Sequence, residues 1–156
     1  MRVNSLDAYF DLAEQADAEN EYAVAWIDQL AGGKGAGRGL LFAGNHVESE
    51  FKPYGKAKLS IPFTPPISAL NGLSVRAFNT LYRFAKGRKS GVNTTHYDPF
   101  FYPLDGVANW NRLYGPRGLH QHQSVIPFDA AHRIIPQLLQ VSRDAGQASF
   151  LTVLKR

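Results

Sequence analysis

The alternation of apolar and polar positions divides the chain into helix-like and strand-like stretches. Residues 5 to 16 keep helical spacing, with Leu6, Tyr9, Phe10 and Ala13 on one side, Ser5 placed to cap and Asp7 in the first turn. Residues 21 to 30 alternate as a strand: Tyr22, Val24 and Trp26 face one way, Ala23, Ala25 and Ile27 the other, and both faces read as largely covered. A glycine-rich connection over 31 to 39 leads to a second strand over 40 to 44, and the simplest pairing is a hairpin.

Pro53, Pro62, Pro65 and Pro66 exclude regular helix from most of the stretch between His46 and Pro66. Helical spacing returns over 68 to 86. Leu70, Leu73, Ala77, Leu81 and Phe84 form one stripe, and Val75, Phe78 and Tyr82 form an adjoining one. The combined arc is wide for one core face, so the helix packs on two sides or its second stripe meets a lipid chain or an absent domain.

Residues 94 to 102 read as extended, and Asp105 as the cap of a short helix through Tyr114 closed by Gly115-Pro116. Residues 118 to 126 read as a strand with Leu119, Gln121, Gln123 and Val125 on one face and His120, His122, Ser124 and Ile126 on the other. Asp129 caps a helix to Asp144 whose buried side is Ile134, Ile135, Leu138, Leu139 and Val141, with a kink or a late start at Pro136. A last strand spans 148 to 155. The expected fold class is α+β, a mainly antiparallel sheet with helices packed on one face, in a single domain over residues 1 to 156.

Composition supports one globular domain: 156 residues, 44% hydrophobic and 19% charged, with no apolar run of membrane-spanning length and no leader pattern at the N-terminus. The expected setting is the cytoplasm or the periphery of a membrane. The absence of cysteine excludes disulfides, thiolate metal sites and a cysteine nucleophile. The net charge of +4 is concentrated at Lys52, Lys56 and Lys58, then at Arg83, Lys86, Arg88 and Lys89. Such clusters suit phosphates or anionic headgroups, or simply a solvated helix end. The glycine-rich loop with Lys34 fits neither dinucleotide nor P-loop spacing and serves a turn.

Gln121 and Gln123 carry the most specific candidate chemistry. Two amides about 7 Å apart on one strand face can hydrogen-bond neighbouring hydroxyls of a sugar, the plain alternative being a solvated edge strand. His120 and His122 offer a second reading as metal ligands, with a third ligand from His46, His96 or Asp98. A basic nucleic-acid-binding module is a third, but no nucleic-acid motif is present and no nucleic-acid partner is expected.

Several segments in order, Glu21-Tyr22-Ala23-Val24-Ala25-Trp26-Ile27-Asp28, Phe101-Tyr102-Pro103-Leu104-Asp105, Trp110-Asn111-Arg112-Leu113-Tyr114-Gly115, Gly118-Leu119-His120-Gln121-His122-Gln123 and Ser149-Phe150-Leu151-Thr152-Val153-Leu154-Lys155, resemble the FAD-dependent oxidoreductases of the vanillyl-alcohol-oxidase superfamily. The resemblance implies the substrate (cap) domain of such an enzyme, with FAD bound mainly by an FAD-binding domain absent from this chain. It implies substrate contacts at Trp26, Gln121 and Gln123, an aromatic wall from Tyr102 or its neighbour Phe101, and a catalytic Lys155. His122 stands where relatives often have tyrosine. The implied substrate is a sugar or lipid-linked sugar phosphate, such as a polyprenyl-phosphate-linked pentose used in cell wall biosynthesis, with membrane-surface contact in attendance. On this reading the chain is an excised fragment, lacking also a C-terminal segment, and has no turnover alone. Without the resemblance, Lys155 reads as a surface lysine.

Overall fold

The computed structural model describes residues 1–50, 55, 59–88 and 91–155. Lys52, Lys56, Lys58 and Lys89 of the basic clusters lie outside them. The chain divides into two units, one of residues 1–46, 72–91 and 123–156, the other of residues 47–71 and 92–122.

The first unit is α+β, built on a four-stranded antiparallel sheet whose strands lie in the spatial order Arg2–Val3, Gly39–Gly44, Tyr22–Ile27 and Thr152–Lys155. Its strands are β1 (Arg2–Val3), β2 (Tyr22–Ile27), β3 (Gly39–Gly44) and β6 (Thr152–Lys155). The expected hairpin is present, Tyr22 facing Gly44 and Ile27 facing Gly39 across six residue pairs. Helix α1 (Leu6–Glu19) is capped as expected, the Ser5 hydroxyl accepting from the Ala8 amide.

Strand alternation assigns the layers. Ala25 and Ile27 point to the face covered by α1 and α4 (Phe128–Asp144), where they meet Val3, Leu6, Tyr9, Leu41, Ile135 and Leu139 in the main core. Packing on one face holds for these two helices. Helix α2 (Gly72–Gly87) packs on the opposite face, its Tyr82 ring 4.9 Å from that of Trp26.

Several expected boundaries and faces differ. Residues 118–126 form no strand, so the expected crossover from strand to helix to strand is absent. Helix α4 runs unbroken through Pro136, and it begins after Pro127 without a side-chain cap, leaving Asp129 in the first turn. It buries Ala131, Ile135 and Leu139, spaced by four, while Leu138 and Val141 are exposed. In α2 the expected main stripe is reversed: Val75 and Asn79 are buried, whereas Leu73, Leu81 and Phe84 face outward.

The second unit pairs two short parallel strands, β4 (Leu59–Ser60) and β5 (Val107–Ala108). Residues 97–101, expected to be extended, form the short helix α3 (Tyr97–Phe101), and a 3-10 turn over Trp110–Tyr114 replaces the helix expected from Asp105. Arg112 clamps the proline-rich stretch, its Nη1 donating to the Ile61 and Pro62 carbonyls at 2.8 and 2.9 Å. No helix among the described residues is long and apolar enough to cross a membrane.

Gly39 is where the hairpin is least tolerant, because a Cβ there would run into the Trp26 carbonyl oxygen. Gly39→Ala is expected to destabilise the fold by about 1–3 kcal/mol, the usual range for overpacking, measured as a lowered urea midpoint with unchanged slope.

Candidate sheet-face site

The strand register brings two of the sequence-predicted residues together. Trp26 faces Val153 across the β2–β6 pair and Val24 faces Lys155, so Trp26 and Lys155 lie on one face of the sheet as diagonal neighbours, about 7–8 Å apart at Cα. Val24 also faces Phe42 on β3. Tyr22, Val24, Phe42, Val153 and Lys155 thus make a mostly apolar floor. Contrary to the expectation that both faces are covered, this end stands open: Tyr22 is 38% and Val153 43% exposed, and Lys155 is exposed on an edge strand.

Trp26 anchors this floor. It is 4% exposed, and its indole N–H donates to the Phe150 carbonyl at 2.8 Å. Tyr82 covers its ring, and Phe78 bridges Tyr82 and Phe150 at 5.6 Å from each. At the open end the Tyr22 hydroxyl meets His46 Nε2 at 3.2 Å, with the two rings edge to face.

Gln121 and Gln123 are exposed on an irregular segment, Gln121 in the second unit and Gln123 in the first. The paired-amide strand face is therefore not formed. Tyr102, also in the second unit, is 55% exposed and ends α3, its amide donating to the Asp98 carbonyl at 2.7 Å. Phe101 packs edge to face on Phe100. Neither the pair His120 and His122 nor any other group of three or more His, Asp or Glu side chains among the described residues is placed to hold a metal ion.

Sequence patterning missed a buried polar tie at the end of β2. The Asp28 carboxylate accepts from Arg38 at 2.7 and 3.0 Å and from Asn79 Nδ2 at 2.8 Å. It joins the hairpin loop to α2 beside a polar cleft of about 330 Å³ lined by Asp28, Arg38, Arg76 and Thr80. Only the acidic end of an apolar strand hinted at it. Burial, then the neighbouring Arg38 and Arg2, push the Arg83 guanidinium below its ordinary value, while Asp28 opposes them. Neither this cleft nor a larger one beside Leu6 and Pro136 is lined by Trp26, Gln123 or Lys155.

No protein-family profile and no solved structure matches the chain. Decaprenylphosphoryl-β-D-ribose oxidase of Mycolicibacterium smegmatis is 26% identical over 152 residues, covering 92% of this chain and 33% of that protein. The chain is distantly related to that oxidase. It spans about a third of the relative's length.

Burial raises the Tyr82 phenol above its ordinary 10.0. The unfolded chain therefore loses this proton first on the alkaline side, so Tyr82 contributes stability below about pH 10 that declines as pH rises through that value. Stability of the wild type is expected to fall more steeply between pH 9 and 11 than that of Tyr82→Phe, read by urea melts.

Proposed function

We propose that this chain is the substrate side of an FAD-dependent oxidoreductase that oxidises a hydroxyl of a sugar, one carried on a polyprenyl phosphate. The observation that carries this reading is the relation to an oxidase over 92% of the chain, joined to an open sheet face that combines an apolar floor with one lysine.

The floor of Tyr22, Val24, Phe42 and Val153 suits the flat face of a flavin ring or the apolar side of a sugar, since neither demands buried polar partners there. FAD, held mainly by a domain outside this chain, supplies the hydride acceptor when bound. Lys155 is exposed at the rim with its ammonium able to reach a sugar oxygen or its phosphate, where positive charge eases loss of the hydroxyl proton. Trp26 is covered by Tyr82 and 4% exposed, so on this reading it bounds the floor at the end where α2 packs. Gln121, Gln123 and Tyr102 are all exposed, and on this reading each offers its side chain to a sugar hydroxyl or ring. The chain alone has no turnover on this reading.

The test uses the complete flavin-bearing protein, mixed without oxygen with a polyprenyl-phosphate-linked pentose. Bleaching of the oxidised flavin is expected, slowed about a hundredfold by Lys155→Met, in line with the loss of one charge-stabilising donor, with flavin content unchanged. A complete protein without flavin, or a flavin that no phosphate-linked sugar bleaches, contradicts the reading.

A further inference from the structure

Helix α2 is apolar on two opposite sides. Val75, Asn79 and Tyr82 turn toward the sheet, and Leu73, Ala77, Leu81 and Phe84, spaced four, four and three apart, form a stripe directed away from it. Leu73, Leu81 and Phe84 are 80%, 67% and 56% exposed. A solvated helix face ordinarily carries charged residues at such positions.

The charges beside this stripe are of one sign. Helix α2 contains Arg76, Arg83 and Lys86 and no acidic residue, and Arg88 follows it. The asymmetry extends well beyond the helix: between Glu50 and Asp98 the chain has eight Lys or Arg and no Asp or Glu, leaving nine basic against 13 acidic residues elsewhere. Arg83 belongs to the fold, since it donates to Asn4 Oδ1 at 2.8 Å and to the Val3 carbonyl at 3.3 Å. Arg76 is exposed one turn along from Leu73, at the polar cleft beside Asp28, and the Arg88 guanidinium stands 4.9 Å from the centre of the Phe84 ring. That places a cation beside an aromatic anchor, an arrangement suited to the boundary between headgroups and acyl chains.

We propose that α2 seats the protein on an anionic lipid surface, with Leu73, Ala77, Leu81 and Phe84 entering the headgroup boundary and Arg76 and Arg88 meeting lipid phosphates. Sixteen residues give a helix of about 24 Å, shorter than the hydrocarbon core, and the buried side is committed to the sheet, so α2 lies in the plane of the surface. A second copy is the poorer occupant, because two such stripes face to face bring arginines together with no acid on either helix. The proposal stands apart from the oxidase reading: vesicle binding is read without flavin or substrate, and either can fail alone.

The test is cosedimentation of the chain with vesicles of phosphatidylcholine alone or mixed with phosphatidylglycerol, at low and high salt. Binding to the anionic vesicles is expected, weaker by roughly tenfold or more on neutral vesicles and reduced by salt. Leu81→Asp/Phe84→Asp and, separately, Arg76→Gln/Arg88→Gln are each expected to lose roughly tenfold or more of this binding. Both change exposed positions, so circular dichroism and the melting temperature should stay at wild-type values. Absence of binding to anionic vesicles, equal binding by the wild type and the Leu81→Asp/Phe84→Asp variant, or a solution dimer abolished by that variant overturns the proposal.

Discussion

Strand β2 is the constraint on which the first unit depends. It is hydrogen-bonded to β3 on one side and to β6 on the other, so its main chain is paired along most of its length. Its alternation then dictates two different surfaces: Ala25 and Ile27 fix where α1 and α4 pack, and Trp26 and Asp28 fix where α2 packs. A shift of one residue in register would send every one of these side chains to the wrong layer.

Side chains at the end of β2 extend this organisation to remote parts of the sequence. The Trp26 indole reaches the Phe150 carbonyl, and Gln29 brackets the same segment, donating to the Gln147 carbonyl at 3.0 Å and accepting from the Ser149 amide at 2.8 Å. These bonds align the chain ahead of β6, so the strand that carries Lys155 starts in register. Asp28 does the equivalent for α2 through Asn79. Trp26, Asp28, Gln29 and Asn79 are buried, and Asn79 spends its Nδ2 on Asp28 while its Oδ1 has no hydrogen-bond partner among the described residues; losing one partner of such a bond typically costs about 1–3 kcal/mol for the group left behind. The position of Lys155 on the floor is therefore a consequence of packing that begins 129 residues earlier in the chain, at Trp26.

Elements with local signals were legible in the sequence. Ser5 and the spacing of Leu6, Tyr9 and Ala13 gave α1, and alternation around a glycine-rich connection gave the β2–β3 hairpin. The segment from Gly118 to Ile126 mixes apolar and polar residues on both faces and, among the described residues, pairs with no strand, which local pattern cannot reveal. Helix α2 was recognised with its faces exchanged, because counting apolar residues favours Leu81 and Phe84 over a stripe centred on Asn79, whose value lies in a bond to Asp28 across 51 positions. Of the candidate site, Trp26 and Lys155 share a sheet face through pairing that no local pattern encodes; the open end at Tyr22 and Phe42 was hidden for the same reason.

The most direct measurement is amide hydrogen exchange under native conditions, residue by residue. If β2 organises the unit, the amides of Ala25, Trp26 and Ile27 exchange only with global unfolding and are slower than those of α2, which opens first because the side chains of Leu73, Leu81 and Phe84 are exposed. Exchange from these three amides as fast as from Leu81 and Phe84 would contradict the account.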